Sequence, residues 1–387
     1  MIGFDLTPEQ QALQAKARRF AREVIAPVAA QHDRDGTFPL EVLQKAYQEG
    51  FFTPLVPRKY GGQGLSVLDT CILYEELAAG CMGIYLSIFV STLALYPIAM
   101  FGTEEQKQRF LKPFCEKFSL ASYCLSEHTV GSDPASMKTT AVLEGEHYLV
   151  NGTKMWITNG GYADLYLVFA NTDPQKRHKG IICLIVPAHL EGIRHGEPID
   201  KMGQRASNTT AVIFRNVRVP RENLLAPEGE GFKKALGALD ITRPMIAVGA
   251  VGVARAAMDL SVAYAKKRIQ FGVPIARHQA VQFMLADMAK DIEAARLLVW
   301  KAAWLADQGI RNTREAAIAK AFAADMAMRV TTDAVQVYGG AGYTRWHPVE
   351  KLMRDAKVIQ IYEGTAQIMR IVIARLMLQE MEKKLNA

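Results

Sequence analysis

The chain has 387 residues, of which 50% are apolar and 22% are charged. This is the composition of a globular protein with a large core, not of a disordered or fibrous chain. The formal net charge of +7 suits an anionic ligand, but the basic residues are dispersed, whereas nucleic-acid binding needs a basic patch. The five cysteines include no C-x-x-C pair, so neither a metal site nor a disulfide framework is expected.

The first predicted unit, residues 1–118, has a helical pattern. Thr7-Pro8-Glu9-Gln10 is a helix start, with threonine as the cap, proline in the first turn and glutamine three residues after the cap. The most apolar stretch of the chain is Met82–Met100, which serines, a threonine and a proline interrupt. Since no run of 18 uninterrupted apolar residues occurs, we predict a buried core helix there and no membrane-spanning helix.

The second predicted unit, residues 119–230, has the pattern of β-strands. His147–Val150 and Lys154–Ile157 flank Asn151-Gly152-Thr153, and Asn-Gly between two strand-like runs predicts a hairpin turn. Further apolar and β-branched runs occur at Leu165–Ala170, Gly180–Pro187 and Ala211–Pro220. We predict an antiparallel β domain of ~100 residues, which is an ordinary domain size.

The third predicted unit, residues 231–387, returns to a helical pattern. Its frequent alanine, leucine and methionine residues are typical of helices packed in a bundle. The order of helices, strands and helices predicts an α+β multidomain fold with an N-terminal helical domain, a middle β domain and a C-terminal helical bundle.

The N-terminus has neither the basic region nor the apolar region of a signal peptide. The predicted location is therefore the cytoplasm of a bacterium or archaeon. If the numbering is that of a processed chain, the predicted location is the mitochondrial matrix.

Six motifs follow one another along the chain. They are Tyr123-Cys124-Leu125-Ser126-Glu127 with Gly131-Ser132-Asp133, Lys154–Gly160, Asp240–Pro244, Arg268 with Phe271-Gly272 and His278-Gln279, Gln336–Tyr343, and Arg354–Lys357 with Tyr362-Glu363-Gly364-Thr365. In this order they resemble the motifs of the acyl-CoA dehydrogenase family. The resemblance runs from about Phe4 to Arg375, and the medium-chain and short-chain branches of the family look most similar.

The resemblance implies a fold, a cofactor and a reaction. The family fold has an N-terminal helical domain, a middle β domain and a C-terminal four-helix bundle, with FAD between the β domain and the bundle. Members remove an α-proton and a β-hydride from an acyl-CoA thioester to give the trans-2-enoyl-CoA. They assemble as homotetramers, each a dimer of dimers, and many pass electrons to an electron-transferring flavoprotein.

By this resemblance Glu363 is the base that removes the α-proton. A thioester α-proton is weakly acidic, so the reaction needs both a base and stabilisation of the enolate charge. An isolated Tyr-Glu-Gly would more often be a solvated turn, but five companion motifs favour the base. Other branches carry the base at the position of Thr242, which has no basic side chain. The neighbouring Asp240 has a substrate-positioning role in the family.

The resemblance also implies a set of flavin contacts. Trp156 gives the flavin an apolar wall, and the Thr158 hydroxyl hydrogen-bonds the ring nitrogen that accepts hydride. Arg268 pairs with the FAD pyrophosphate. Gln336 and the Gly339-Gly340 pair contact its adenosine half across a subunit boundary, where glycine permits close backbone approach. The other implied FAD contacts are Tyr123, Leu125, Ser126, Ser132, Phe271, His278, Gln279, Thr365 and Gln367.

Substrate contacts are implied in the same way. Ser132 touches the phosphate-bearing half of CoA, and Arg243 holds CoA near its adenine. Tyr362 and Gly364 flank the base. Without the companion motifs, each of these residues would fit an ordinary turn or surface position.

Two positions depart from the family pattern. Where the family usually has Glu-Pro-Gly-Ala-Gly-Ser, this chain has Glu127-His128-Thr129-Val130-Gly131-Ser132, so the loop lacks a proline and a glycine. We interpret His128 as a solvent-facing loop residue in preference to a pH-sensitive group. Gln270 stands near Arg268 where a threonine is common. These changes affect the loop conformation and one flavin contact.

A pair of aromatic residues predicts the shape of the acyl pocket. In medium-chain relatives the helix after the Cys-x-Gly turn lines the far end of the cavity with polar side chains. Here it carries Tyr85 and Phe89, four residues apart on one helix face. We predict a shortened, apolar pocket for short to medium acyl chains, including branched and ring-bearing ones. The alternative is that both rings pack against another helix in the core.

The leading function is thus that of a dehydrogenase that reduces an electron-transferring flavoprotein. An enoyl-CoA reductase would run the same chemistry in reverse. An acyl-CoA oxidase is less favoured because those chains are longer and have an additional C-terminal domain. A non-enzymatic, nucleic-acid-associated relative, as in the alkylation-response branch of the family, is the alternative from a different class.

Overall fold

A computed structural model describes residues 4–386. Helices come first, a β-sheet follows between residues 121 and 226, and helices resume at Gly231, so the predicted order is confirmed. The first helices are Pro8–Phe20 (α1), Ala26–Asp35 (α2), Leu40–Gln48 (α3), Val67–Gly80 (α4), Met82–Phe101 (α5), Glu104–Phe110 (α6) and Lys112–Glu116 (α7).

Two of these helices begin with reciprocal caps. The Thr7 hydroxyl accepts a hydrogen bond from the Gln10 amide, and the Gln10 side chain accepts one from the Thr7 amide. Thr103 and Gln106 repeat this arrangement at α6. Each pair satisfies backbone N–H groups that the first helical turn leaves without partners, and the helix start predicted at Thr7 is confirmed.

The middle region forms a twisted eight-stranded sheet. Its strands are Ala121–Cys124 (β1), Thr140–Glu144 (β2), His147–Thr158 (β3), Leu165–Asn171 (β4), Ile181–Pro187 (β5), Ile193–His195 (β6), Thr209–Pro220 (β7) and Leu224–Ala226 (β8). The order across the sheet is β6-β7-β3-β2-β4-β5-β8, with β1 also paired to β4. Neighbours are antiparallel, except that β4 pairs in parallel with β1 and, at one residue, with β2.

The predicted hairpin turn at Asn151-Gly152 is wrong. These residues lie inside the continuous strand β3, at a bulge where the register with β7 shifts. Gly152 has φ = 149°, and a Cβ there would lie 2.5 Å from the Thr139 hydroxyl. The Asn151 side chain accepts a hydrogen bond from the Asn216 amide on β7. The actual turn connects β2 to β3 at Gly145-Glu146.

The C-terminal region is a helical bundle with a small hairpin. Its elements are Gly231–Lys267 (α8), Ile269–Gln270 (β9), Val273–Pro274 (β10), Gln279–Asp307 (α9), Thr313–Tyr338 (α10), Val349–Lys357 (α11) and Ala366–Leu385 (α12). Helix α8 lies against α4 so closely that a Cβ on Gly252 would be 2.3 Å from the Glu75 carbonyl oxygen. One hydrophobic core therefore joins the first and third regions of the chain.

Helices α5 and α8 are long and apolar enough to cross a membrane by composition alone, with mean hydropathies of 1.9 and 1.6 in their most apolar windows. Those windows are 78% and 67% buried inside the fold. Burial among other helices accounts for their composition, as the core-helix prediction for Met82–Met100 anticipates.

Candidate functional site

A cavity of about 640 Å³ opens where β3, the loop before β7 and the turn between α11 and α12 meet. It brings together residues from distant motifs, because β3 and that turn are some 200 positions apart in the sequence. Eight of the predicted site residues line it: Ser126, Ser132, Trp156, Thr158, Tyr362, Glu363, Gly364 and Thr365.

The Glu363 carboxylate is the most unusual group in this cavity. Both of its oxygens are buried and neither has a hydrogen-bond partner among residues 4–386. Burial raises the pKa of Glu363 to about 7, against the opposing attractions of Arg243 and Lys320. A carboxyl group with its pKa near neutrality in a cleft is suited to accept a proton.

A strained turn presents this carboxylate. Glu363 has φ = 53° and Gly364 has φ = 93°, and a Cβ on Gly364 would lie 2.5 Å from the Met369 methyl. The Lys320 ammonium donates a hydrogen bond to the Gly364 carbonyl, and Arg243 Nε donates one of 3.4 Å to the Glu363 carbonyl. The hydroxyl of Thr365 caps α12. The turn is thus held on both sides.

Arg243, predicted to hold CoA near its adenine, does not line the cavity. The residue is only 6% exposed, and its guanidinium donates to Asp240 Oδ1 at 2.6 Å near the Glu363-Gly364 turn. Asp240 also accepts a hydrogen bond from Thr313 at 2.6 Å. The guanidinium is thus paired with a partly buried carboxylate, and the predicted contact of Arg243 with CoA stays a prediction. Asp240, paired in this way, is poorly suited to act as a base.

Trp156 and Thr158 lie at the end of β3. A second bulge shifts the register of β3 with β7 between Lys154 and Ile157, and Trp156 within it has φ = 65°. Positive φ is uncommon for a bulky residue. It turns the indole outward, so that Trp156 lines the cavity while remaining 52% exposed. The bulge therefore aims a large aromatic side chain into the site.

A buried ion pair supports the loop that carries Ser126. Lys154 is fully buried, and its ammonium donates to Leu125 O at 3.1 Å and to Glu127 Oε1 at 2.9 Å. Glu127 also accepts from the amides of Lys138 and Thr139. Although desolvation acts to raise it, the attraction of Lys154 and these hydrogen bonds hold the pKa of Glu127 below its usual range. The pair fixes Ser126 against β3.

The departure at His128-Thr129-Val130 forms a tight turn. Reciprocal backbone hydrogen bonds join Glu127 and Val130. Val130 is 3% exposed and packs in the core with Met137, whereas His128 faces solvent, as interpreted. Val130, which stands where the family has alanine, thus points inward, whereas Thr129, which replaces the family's glycine, is exposed. Ser132 remains at the cavity.

Tyr85 and Phe89 do not line the cavity, to which α5 contributes Leu86. Both rings are fully buried and stack on each other with centroids 5.9 Å apart. The Tyr85 hydroxyl donates to Met245 O at 2.7 Å on α8, and both rings pack edge-on against Tyr74. The two rings therefore pack against another helix in the core, as the alternative prediction stated, and do not line the pocket directly.

Two other predicted residues lie just behind the cavity wall. The Tyr123 hydroxyl lies 3.5 Å from the Ala235 carbonyl of α8, and Leu125 packs beside it in the core beneath the sheet.

The remaining predicted residues lie on the surface and not in the cavity. Phe271 is 94% exposed on the β9–β10 hairpin, where it packs edge-on against His278. The others on or near this hairpin, at the end of α10 or on α12 are Arg268, Gln279, Gln336, Gly339, Gly340 and Gln367, all exposed. A single chain therefore does not bring the two groups of predicted FAD residues together.

Two polar residues near Glu363 were not anticipated. Gln204 lines the cavity, and its side chain donates to Asp355 O at 2.9 Å and to the Tyr362 hydroxyl at 3.2 Å. Lys320 is a fully buried lysine within the alanine-rich helix α10. No sequence pattern marks either one, although Gln204 lies beside a glycine and Lys320 occupies an otherwise apolar helix face.

Comparison with known proteins decides the family. The acyl-CoA dehydrogenase N-terminal, middle and C-terminal domain models match residues 7–117, 122–217 and 229–378. The chain belongs to the acyl-CoA dehydrogenase family. This confirms the resemblance read from the six motifs.

Curated relatives match over nearly the whole chain. The probable acyl-CoA dehydrogenase fadE25 of Mycobacterium bovis is 45% identical over 377 residues, covering 97% of each chain. The probable medium-chain specific acyl-CoA dehydrogenase 2 of Caenorhabditis briggsae, a mitochondrial protein, is 42% identical over 380 residues, covering 97% of this chain and 92% of the relative.

Solved structures share the fold. Butyryl-CoA dehydrogenase from Megasphaera elsdenii has a TM-score of 0.95 at 41% identity, covering 97% of this chain and 100% of that one. A chain from a structure of the electron transferring flavoprotein of Acidaminococcus fermentans has the same TM-score and coverage at 45% identity. PigA with FAD and proline has a TM-score of 0.93 at 27% identity, covering 97% and 99%.

The chain is therefore an acyl-CoA dehydrogenase, an oxidoreductase whose cofactor is FAD. The residues around the cavity fit a flavin and an acyl substrate. Trp156 lines the cavity and is about half exposed. The buried oxygens of Glu363 lack a protein partner among residues 4–386, as expected of a group whose partner is a bound ligand.

Proposed function

We propose that this acyl-CoA dehydrogenase oxidises short to medium acyl-CoA thioesters, including branched or ring-bearing ones, to 2-enoyl-CoA, and that Glu363 removes the α-proton. The observation that carries the proposal is the Glu363 carboxylate, buried without a partner in the cavity that Trp156 and Thr158 also line. The electron acceptor is an electron-transferring flavoprotein, and the site of action is the cytoplasm, or the mitochondrial matrix for a processed chain.

The residues of the chain have separate tasks in this reaction. Glu363 accepts the α-proton at a carboxylate oxygen. The cations of Arg243 and Lys320 hold its turn through the carbonyls of Glu363 and Gly364. Trp156 and Thr158 would hold the flavin, and Ser126, on the loop that Lys154 supports, would hydrogen-bond it. Bound FAD supplies the acceptor for the β-hydride.

The test is anaerobic bleaching of the purified flavoprotein by straight, branched and cyclic acyl-CoAs. The proposal expects rapid loss of the oxidised flavin spectrum with a subset of these thioesters. Reoxidation of the reduced flavoprotein by 2-enoyl-CoA, without bleaching of the oxidised form by acyl-CoA, would favour the reductase, and stoichiometric oxygen consumption during aerobic turnover would favour the oxidase. A flavoprotein that no acyl-CoA bleaches would contradict the proposal and leave the nucleic-acid-associated alternative.

The pH dependence of flavin reduction follows from the Glu363 environment. Because burial raises the pKa of Glu363 to about 7, the ionised form that can accept a proton disappears below that pH. We expect the limiting rate of anaerobic reduction to fall about tenfold per pH unit below 7 and to level off above it. Stopped-flow measurements at saturating acyl-CoA separate this effect from substrate binding, and a rate that does not change from pH 5.5 to 8.5 would contradict it.

Acyl-chain selectivity tests the role of Tyr85 and Phe89. Their stacked rings fill the core beside α8, outside the cavity that Leu86 of the same helix lines. We propose that they limit how far an acyl chain can extend past Leu86. We expect kcat/KM to be highest for short to medium chains and the optimum to lengthen in Phe89→Ala, which removes a buried ring. Substrates of about four to sixteen carbons would be compared, and a native preference for the longest would refute the closed pocket.

Assembly as a homotetramer, a dimer of dimers, accounts for the surface group of predicted residues. Phe271 is 94% exposed and the Gly339-Gly340 pair is also exposed, and these residues would complete the FAD site of a neighbouring subunit. We expect sedimentation velocity to show a tetramer, and a dimer is the alternative assembly. Phe271→Ser should weaken both assembly and FAD retention, and an active monomer would contradict the shared site.

A further inference from the structure

Lys320 is a lysine in a place where lysines are rarely found. It is fully buried on α10, and its ammonium donates a hydrogen bond to the Gly364 carbonyl. It has no carboxylate within 4.0 Å among residues 4–386. Buried lysines almost always have a charged partner. Burial lowers the pKa of Lys320 to about 8, an effect that the negative charge of Glu363 opposes.

The two cations near Glu363, Arg243 and Lys320, differ in whether a carboxylate compensates their charge. Arg243 is compensated, because its guanidinium contacts Asp240 at 2.6 Å. Lys320 has no such compensation, so its positive charge is directed at the catalytic turn. The other titratable or charged groups facing Glu363 or Lys320 are Tyr85 on α5, Tyr123 on β1, Asp240 on α8, Asp325 on α10 and Tyr362.

The tyrosines in that set do not change charge in the working range. Burial raises the pKa values of Tyr85, Tyr123 and Tyr362 well above their usual range, so all three stay neutral. Asp325 is paired with Arg370 at 2.6 Å. Of the two cations that act on the pKa of Glu363, Arg243 and Lys320, only Lys320 has no carboxylate contact among residues 4–386.

We propose that Lys320 is a positioning residue of the reaction, which fixes the Glu363-Gly364 turn through the Gly364 carbonyl and keeps Glu363 ionised before proton transfer. This rests on the proposed function, in which Glu363 is the base. The hydrogen bond sets the direction of the carboxylate, and the ammonium charge favours its ionised form. Once Glu363 has taken up the α-proton, that attraction ends, so the ammonium assists the state that precedes the proton transfer.

The test compares Lys320→Met and Lys320→Arg with the native holoenzyme. Methionine keeps an unbranched side chain of similar length without the charge, and arginine keeps the charge. The limiting rate of anaerobic flavin reduction by acyl-CoA is measured against pH. We expect Lys320→Met to move the midpoint of the rising limb upward by about one pH unit, the lower end of what a nearby opposite charge contributes, and Lys320→Arg to restore it.

A role in folding alone would leave that midpoint unchanged. Lys351→Met is the matched control, because it also removes a buried cation, one that pairs with Asp355 at 2.5 Å and not with the turn. It should not shift the midpoint. A midpoint in Lys320→Met within about 0.2 pH units of the native one overturns the proposal.

A measurement that needs no turnover covers the case of an inactive variant. Thermal unfolding of the native protein, Lys320→Met, Glu363→Gln and the double variant forms a cycle. We expect the Tm changes to be non-additive at pH 8, where Glu363 is ionised, and additive at pH 5, where it is protonated. Additivity at both values overturns the proposal.

Failure of the proposed function has a different signature. If Glu363→Gln is reduced by acyl-CoA at the native rate, the base lies elsewhere. If Glu363→Gln is impaired while the midpoint in Lys320→Met is native, the base assignment stands and only the role of Lys320 fails.

Discussion

Glu363→Gln is expected to slow anaerobic flavin reduction by acyl-CoA about 10²–10⁴-fold, the usual contribution of a positioned base. Glutamine has nearly the same shape but cannot take up the α-proton. The turn should persist, because Arg243 and Lys320 hold it through backbone carbonyls that the substitution leaves in place. FAD content and acyl-CoA affinity should therefore stay close to native, and stopped-flow absorbance measures the rate.

The same variant should be more stable than the native protein at high pH. The pKa of Glu363 is raised from 4.5 to about 7 in the folded state, so the folded protein binds the proton more tightly than the unfolded chain. The free energy of unfolding of the native protein consequently falls as the pH rises from 4.5 to about 7. The total fall is about 3 kcal/mol, because each pH unit between the two pKa values corresponds to ~1.36 kcal/mol. Glutamine does not titrate, so the variant should be more stable than the native protein above pH 7 and should have no such advantage below pH 4.5.

Opposite changes in rate and stability distinguish loss of the base from misfolding. A variant that loses both rate and stability at pH 8 would show that Glu363 is needed for the fold. Near-native reduction would move the base elsewhere, with Asp240 the next residue to examine, although its contact with Arg243 argues against it.

Lys154→Met is expected to destabilise the protein by about 3–5 kcal/mol, the effect of breaking a buried ion pair from one side. Lys154 is fully buried, and its removal would leave Glu127, 6% exposed, without its cation. The Leu125 carbonyl would also lose its donor. Denaturant unfolding measures the stability change, and loosening of the Ser126 loop should show as weaker FAD retention.

Arg218→Met on the same sheet is the matched control. Arg218 and Glu144 form an ion pair with an N–O distance of 3.8 Å. The Arg218 side chain is 58% exposed and the Glu144 side chain 50%. Exposed pairs contribute about 0–1 kcal/mol, so this variant should be nearly neutral. Equal destabilisation by Lys154→Met and Arg218→Met would show that the buried pair has no special role.

Local sequence rules anticipated the parts of the fold that depend on neighbouring residues. The cap at Thr7 needs only a hydroxyl and a glutamine three residues later, and both are present in the structure. The Asn151-Gly152 turn failed because a glycine with an unusual φ serves a bulge as well as a turn. Thr139, from another segment of the chain, packs so closely against Gly152 that no side chain fits there, and this contact is not visible in the local sequence.

Only the site residues that belong to a family motif could be predicted from the sequence. Glu363, Trp156 and Thr158 line one cavity, as the motifs implied. The position of Arg243 beneath Glu363 depends on a contact between residues 120 positions apart, which no local pattern reports. Lys320 was missed for the same reason, because a lysine in an alanine-rich helix normally faces water.

The core shared by the first and last regions has a consequence for the newly made chain. Helix α5 ends at Phe101, and α8, which covers it, begins at Gly231. At ribosomal speed the intervening segment takes on the order of ten seconds to synthesise. For that time one of the most apolar helices of the protein is without its partner, so a chaperone that shields nascent chains should determine how much of this enzyme a cell recovers.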